Sequence, residues 1–254
     1  MINFSYIDML ILFPIIFLAG FVDSIAGGGG LISLPAYLLI GLPSHNALAT
    51  NKLSSSIGTI FSTLRYGKGR FIVFEIAIFS VIFSFIGSYI GATLALMISE
   101  EKLKLIISIL IVIAGIFLTF RNRKNRSRDK MNIRFNRKLI ASLIGFFIGM
   151  YDGFLGPGTG TFLITLYVNF LSLDHVKASG TAKIVNLASN LSALFTFLIN
   201  SKVIFYVGLP AAFFSILGNW IGSGLAIKNK EKLIKPVIIS ILFMLVIKII
   251  YDFV

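Results

Sequence analysis

Long apolar runs, separated by short polar or glycine-rich stretches, dominate the chain. A helix needs about 20 apolar residues to cross the ~30 Å hydrocarbon core of a membrane. Eight runs of roughly that length occur, at approximately residues 7–26, 45–64, 71–98, 102–120, 138–155, 176–200, 203–227 and 234–252. The pattern therefore predicts an all-α integral membrane protein. Because residues 1–9 carry no Lys or Arg, we interpret the first run as a membrane helix and not as a secretory leader.

Two further apolar segments are too short to cross a membrane alone. Leu31 to Leu42 follows four consecutive glycines, and Thr161 to Leu173 follows a second glycine-rich stretch. Each has about a dozen residues and would reach only ~18 Å at ~1.5 Å per residue. We therefore expect two short helices in glycine-broken hairpins near the midplane of the membrane.

The two halves of the chain repeat one pattern. The matching residues of the first half are Gly20, Asp23, Thr50, Lys52, Gly87 and Gly91, and their counterparts are Gly149, Asp152, Thr181, Lys183, Gly218 and Gly222. Counterparts are 129 positions apart before the short segment and 131 after it, so two residues are inserted in the connection. The sequence predicts a duplication with about five helical segments per repeat, at residues 1–120 and 139–254, joined by a connector at 121–138.

The composition excludes a water-soluble globule and several kinds of chemistry. Hydrophobic residues make up 57% of the chain, and the mean hydropathy is +0.94. With no cysteine and two histidines, we expect no disulfide, no metal site and no cofactor. A phosphate-binding G-x-x-x-x-G-K-[ST] run is absent from the sequence, so we expect an ion or substrate gradient, and not ATP, to be the energy source. An enzyme is disfavoured because no nucleophile and base pair is visible.

The basic residues predict an orientation in the membrane. Lys and Arg outnumber Asp and Glu by 23 to 10, and nine of these cations lie in the connector 121–138 beside one acid. The positive-inside rule makes the connector cytoplasmic, together with loops 65–70 and 228–235, and leaves loop 99–104 and the loop near Lys202 outside. Equivalent loops then lie on opposite sides, which predicts inverted repeats with both termini outside. No aromatic or motif context suggests that the connector binds nucleic acid.

The glycine-rich breaks are the first candidate binding feature. Their residues are Gly27, Gly28, Gly29 and Gly30 in the first half and Gly156, Gly158, Thr159 and Gly160 in the second. Glycine adopts left-handed dihedrals and lets a ligand approach the backbone, and the amides at the start of the following helix favour an anion. The alternative is close packing of helices through small residues.

Two lysines are the second candidate feature. Lys52 and Lys183 each lie about two turns into a long apolar helix, where a charge is costly and suggests function. Helical spacing places each on a polar stripe, formed by Ser55 and Thr59 in the first half and by Asn186 and Asn190 in the second. We expect both stripes to line one central cavity. The alternative for either lysine is extension of the side chain to the membrane surface.

Two aspartates precede the breaks at matching positions. Asp23 and Asp152 suit three roles: capping the unpaired amides, pairing with the buried lysines, or carrying protons. We favour capping or pairing over proton transfer. His45 and His175 lie at helix starts, where a capping neighbourhood explains them better than a metal or proton role.

Several of these runs resemble the sulfite exporter TauE/SafE family, also called the 4-toluene sulfonate uptake permease family. The first-half signature covers Ala19 to Leu31 and Asn46 to Lys52, and the second-half signature covers Asp152 to Gly160 and Gly180 to Lys183. The resemblance extends over almost the whole chain and adds Asn51 and Thr181 to the candidate substrate-binding residues.

The resemblance implies transport of a small anion such as sulfite, a sulfonate or sulfoacetate across the bacterial inner membrane. The sequence hypothesis is thus a secondary transporter that works by alternating access. A passive anion channel is the alternative, and it would never accumulate its substrate against a gradient. Which anion is carried, the direction of transport, the coupling ion and the oligomeric state all stay open.

Overall fold

The computed structural model describes residues 6–120 and 136–228, and every regular element in these two ranges is an α-helix. The helices are α1 (Tyr6–Ala26), α2 (Gly30–Leu39), α3 (Ser44–Lys68), α4 (Phe74–Met97), α5 (Glu100–Phe120), α6 (Arg137–Phe154), α7 (Thr159–Leu171), α8 (His175–Ile199) and α9 (Phe205–Ile227). The run predicted at 234–252 and most of the basic connector lie outside the described residues.

Seven predicted spans correspond to long helices, and their ends agree within four residues. Within the described ranges, α1, α4, α8 and α9 are both long enough and apolar enough to cross a membrane. Helix α3 is as long as α8, but its polar stripe lowers its hydropathy. The stripe is tolerated because most of α3 is buried between other helices.

The two short segments form helices of 10 and 13 residues. Helix α2 ends before Gly41, whose φ is +84°, and α7 ends before Ser172, whose φ is +53°. Both φ values lie in the left-handed region, which stops a right-handed helix. Helix α7 is three residues longer than α2, and the loop that follows it is one residue shorter than the loop after α2, which together account for the two-residue insertion.

Helices of the two halves are packed against each other at backbone distance. Helix α4 packs on α6 and α8, and α9 packs on α1 and α3. Gly87 and Gly91 of α4 lie against the backbone of α6, and Gly218 and Gly222 of α9 lie against the backbone of α1. Because lipid supplies no hydrophobic drive between helices, close contact through small residues is a main source of their association.

Two threonines make matching hydrogen bonds between the halves. Thr50 of α3 accepts the backbone N–H of Ile204 through its hydroxyl, at 3.1 Å. Thr181 of α8 accepts the N–H of Val73 in the same way, also at 3.1 Å. Ile204 and Val73 precede α9 and α4, so each threonine satisfies an amide at the start of a helix from the other half.

Helices α3 and α8 form the centre of the described bundle and are packed against each other. The outward faces of α4 and α9 are apolar and exposed, with Ile82, Phe85, Phe213 and Leu217 among their side chains. In a protein that spans a membrane, such faces contact lipid, while the polar residues of α3 and α8 lie inside.

Candidate functional site

The two glycine-rich breaks meet in the middle of the bundle. The carbonyl of Gly27, which follows α1, accepts the backbone N–H of Thr161 at 2.7 Å. The Thr161 hydroxyl donates to the carbonyl of Ala26, also at 2.7 Å. Gly160 lies directly against Gly27, with no room for a side chain on either residue. The end of α1 is therefore bonded to the first turn of α7.

The left-handed backbone that glycine permits occurs at one position of the first glycine run. Gly27 has a φ of +78°, whereas none of Gly28–Gly30 lies in the left-handed region. The reason is that α2 begins at once, since the amide of Leu31 already donates to the carbonyl of Gly28. In the second break Gly156 and Gly158 are left-handed, with φ values of +92° and +82°.

Some amides predicted to face a ligand have protein acceptors instead. The N–H of Gly29 donates to the Asp23 carboxylate at 3.3 Å, and the N–H of Thr161 is bonded to Gly27. The Thr159 hydroxyl donates to the carbonyl of Gly156 at 2.8 Å. Close packing, the alternative considered for the glycines, thus accounts for Gly27 and Gly160, and Asp23 caps α2.

Lys52 lies at the centre of a buried polar network. Its side chain is about 2% accessible, and its Nζ is 2.9 Å from Oδ2 of Asp152. The same Nζ donates to Oδ1 of Asn190 at 2.9 Å, and the Ser189 hydroxyl donates to Asp152 at 2.6 Å. Four side chains therefore join α3, α6 and α8.

Lys183, in the second half of the chain, makes the corresponding ion pair with an aspartate of the first half. Its Nζ is 2.5 Å from Oδ2 of Asp23, and 18% of the Asp23 side chain is accessible. Each lysine of one half is thus paired with the aspartate of the other half. Neither lysine extends to the membrane surface, because both are about 1% exposed.

A polar cavity lies beside these pairs. It leaves about 30 Å³ for the centres of water-sized molecules, which is room for about two waters. The sequence-predicted residues that line it are Asp23, Gly27, Gly29, Gly30, Asn51, Lys52, Ser55, Thr59, Asp152, Gly156, Thr159, Gly160, Asn186 and Asn190. Both polar stripes therefore reach one cavity.

Four sequence-predicted residues do not line the cavity. They are Gly28, Gly158, Thr181 and Lys183. The Thr181 hydroxyl accepts the backbone N–H of Val73, just before α4. Gly158 faces the ring of Phe162 and the methyl group of Ala114. The Lys183 ammonium contacts Asp23, which does line the cavity, so Lys183 reaches the site through its partner.

Helix α9 contributes two lining residues that sequence reasoning missed, Ser215 and Asn219. The sequence did contain a signal for them, because they are two polar residues four positions apart in an apolar helix. The Asn219 amide nitrogen donates to the Ser215 carbonyl at 3.0 Å. Its Oδ1 is buried and has no hydrogen-bond partner among the described residues. Ser33 and Ser54 also line the cavity and were not predicted.

The histidine at the start of α3 lies away from the cavity. His45 Nδ1 is 2.7 Å from Oε2 of Glu100, and its Nε2 is 3.1 Å from the carbonyl of Ala95. It joins the ends of α3, α4 and α5, in agreement with a capping neighbourhood. Within residues 6–120 and 136–228, no group of three or more His, Cys, Asp or Glu residues could hold a metal ion.

The arrangement defines a class of protein. Long apolar helices enclose charged pairs and a polar cavity, and each charged pair joins the first half of the chain to the second. Buried ionisable residues inside apolar helices are characteristic of solute pathways in membranes. The protein is a multi-pass membrane transporter.

The chain belongs to the family described as Sulfite exporter TauE/SafE, whose sequence model matches residues 12–249. It is 35% identical over 247 residues to a "Probable membrane transporter protein" of Haemophilus influenzae, covering 97% of this chain and 96% of that protein. It is 33% identical over 245 residues to "Probable membrane transporter protein YfcA" of Escherichia coli K12, with coverages of 95% and 89%. No solved structure matches the chain. The resemblance drawn from the sequence motifs is thereby confirmed.

Proposed function

We propose that the protein is a secondary transporter of a small anion, a sulfur oxyanion or organosulfonate such as sulfite or sulfoacetate, in the bacterial inner membrane. The observation that carries the proposal is the pair of buried lysines, each ion-paired across the two halves beside one polar cavity. A lysine in an apolar helix is costly to insert, by about 2.5–3.5 kcal/mol. Two such lysines at matching positions indicate a function that needs positive charge in the membrane.

The neutral groups of the cavity suit an oxyanion. The Asn51, Asn186 and Asn190 amides and the Ser55 and Thr59 hydroxyls line it and offer N–H and O–H donors. Sulfite and sulfonates have three oxygens on one sulfur, so several donors are able to bind one group. The family description names sulfite, which supports this substrate class for the present chain.

We further propose that the halves are inverted repeats and that transport proceeds by alternating access. The matching bonds of Thr50 to Ile204 and of Thr181 to Val73 support this symmetry. The packing of α4 on α6, matched by that of α9 on α1, supports it as well. Rocking of one repeat against the other would open a central site to each side in turn.

The test is transport by the purified protein in proteoliposomes. Labelled sulfite, sulfate, sulfoacetate and taurine are supplied separately at several pH values, and we expect at least one of the anions to exchange across the membrane and to accumulate under an ion gradient. Flux that never exceeds equilibrium would favour the passive channel. Failure to move any of the four compounds would contradict the proposed function.

Substitutions of Lys52 test whether the buried lysines are needed for transport. Lys52→Ala should abolish transport, whereas Lys177→Ala, which removes a lysine whose side chain is 52% accessible, should retain the wild-type rate. Removing Lys52 alone leaves Asp152 buried and unpaired, which costs about 3–5 kcal/mol. The double variant Lys52→Met with Asp152→Leu therefore serves as a folding control: it should elute as a folded monodisperse protein and still not transport. A wild-type rate in either Lys52 variant would overturn the assignment.

A further inference from the structure

The charges of the ionisable groups in and beside the cavity sum to zero. Two ammonium groups, Lys52 and Lys183, are paired with two carboxylates, Asp152 and Asp23. The other residues that line the cavity are neutral. An anion that entered this site alone would leave a net negative charge in a low-dielectric environment, which is strongly unfavourable. Binding of an anion is easier if a proton or another cation enters with it.

The two ion pairs are not equivalent. Asp152 is 3% accessible and accepts from two side chains, Lys52 at 2.9 Å and Ser189 at 2.6 Å. Lys52 is also bonded to Asn190. Protonating Asp152 would therefore disturb a network of three helices, because a buried donor that loses its acceptor costs about 1–3 kcal/mol.

Asp23 is more accessible and less tightly held. Its side chain is 18% accessible and has one ionic contact, with Lys183. Its remaining bond is a backbone amide, that of Gly29, at a long 3.3 Å. Water that reaches the cavity is able to deliver a proton to Asp23, and this protonation breaks one strong contact, the ion pair with Lys183.

We propose that Asp23 is the proton-coupling residue, so that the transported anion binds together with one proton. This inference rests on the proposed transport function. A proton from water on the side of entry adds to Oδ2 of Asp23, and its contact with the Lys183 ammonium breaks. Lys183 keeps all three of its protons and pairs with the anion. When the anion leaves on the other side, Lys183 returns to Asp23 and the proton is released there.

The charges that face Asp23 are consistent with this cycle. Lys183 of α8 contacts it, and Lys52 of α3 is close enough to interact with it electrostatically. Asp152 of α6 is compensated by Lys52. Helices α2, α7 and α9 contribute only neutral groups to the cavity. Protonation of Asp23 therefore leaves one uncompensated cation, Lys183, which an anion can neutralise.

Two assays separate proton coupling from substrate binding. Exchange of labelled for unlabelled 4-toluene sulfonate in proteoliposomes needs no net proton movement, whereas accumulation driven by a pH gradient does. 4-Toluene sulfonate is a suitable probe because its single acidic group, a strongly acidic sulfonate, stays ionised throughout the neutral pH range. The probe is therefore a monoanion whose charge one proton balances. With the membrane potential clamped at zero, one proton per anion predicts up to about tenfold accumulation per pH unit, since one pH unit is worth 1.36 kcal/mol.

The variants predict different outcomes in these assays. Asp23→Asn should lose the response to the pH gradient but still exchange the anion at a reduced, measurable rate, because Lys183 remains able to pair with the anion. Asp23→Glu should keep part of the response to the pH gradient. Asp152→Asn should lose both activities. Persistence of gradient-driven accumulation in Asp23→Asn, or loss of exchange together with accumulation in that variant, would overturn the assignment of Asp23. Absence of exchange by the wild-type protein for every anion tested would instead contradict the transport function.

A measurement on the wild-type protein makes the test independent of folding of the variants. In weakly buffered proteoliposomes, downhill entry of 4-toluene sulfonate should carry protons inward and raise the external pH. Entry of the labelled anion without a change in external pH would rule out proton coupling.

Discussion

At the scale of single residues, Gly27 combines two requirements that only glycine meets. Its φ of +78° lies in the left-handed region, and a Cβ atom there would overlap the backbone of Gly160. The first requirement is conformational and the second is steric. Together they allow the two broken hairpins to come into contact at the centre of the bundle.

Gly41 offers a control that separates these requirements. It has a similar φ of +84°, but a Cβ atom there would meet no atom within 4 Å. Gly41→Ala should lower the free energy of unfolding by about 1–2 kcal/mol, the cost of left-handed backbone. Gly27→Ala should lower the free energy of unfolding by about 1–3 kcal/mol more than Gly41→Ala does, because its Cβ atom overpacks the contact with Gly160. Thermal denaturation in detergent, followed by gel filtration, measures both. Equal shifts would mean that the contact with Gly160 has no energetic importance.

The sequence located the charged residues and offered pairing between aspartates and lysines as one role, but it did not predict which aspartate pairs with which lysine. Lys52, Lys183, Asp23 and Asp152 were recognised because each recurs at a matching position in an apolar context. Pairing between halves depends on how α3 and α8 cross the breaks, and no local pattern encodes that crossing. Asn219 was missed for a related reason: only the packing of α9 against α1 and α3 brings it to the cavity.

At the scale of helices, the start of α3 is capped by a residue from α5. Pro43, which precedes α3, provides no side-chain cap. The Glu100 carboxylate accepts the backbone amides of Ser44 and His45 and contacts the His45 ring. Burial alone would raise the pKa of Glu100, but the hydrogen bonds from Ser44 and His45 outweigh it and hold the pKa below its ordinary value.

This cap predicts a pH-dependent stability. Glu100→Gln should lower the stability at neutral pH by about 0.5–2 kcal/mol, the usual cost of losing a helix cap. Because the folded pKa is lowered, the stabilisation is fully present above the ordinary value of 4.5 and is lost as the pH falls through the folded value. Melting curves of both proteins should therefore converge in acid. Glu101→Gln, at the exposed neighbouring position, is the control; a similar loss there would argue against capping.

The sequence predicted helices more reliably than their irregular ends. Runs of apolar residues located seven long helices and both short ones, because length and hydropathy are local properties. The sequence did not predict that α2 begins directly at Gly30, because glycine permits helical as well as left-handed backbone. The second glycine-rich break contacts Gly27, which is left-handed, whereas Gly29 and Gly30 have helical backbone.

At the scale of the whole molecule, contacts between distant segments group the loops by the end of the bundle at which they lie. Ser44 is bonded to Glu100, and the Asn46 amide donates to the carbonyl of Lys202 at 2.8 Å. At the other end of α3, the Arg65 guanidinium donates to the carbonyl of Trp220 at 2.6 Å. The start of α3 therefore lies with the loops before α5 and α9, and its end lies near the end of α9.

This grouping predicts which loops are labelled from outside the cell. The chain has no cysteine, so single cysteines can be introduced without removing others. Ser99→Cys and Ser201→Cys should react with a membrane-impermeant maleimide on intact cells, and Lys68→Cys and Lys228→Cys only after permeabilisation, because the positive-inside rule predicts a cytoplasmic position for the basic loops. All four positions are exposed. Opposite labelling of all four would reverse the orientation and keep the fold, whereas different labelling of Ser99→Cys and Ser201→Cys would contradict the arrangement of the helices.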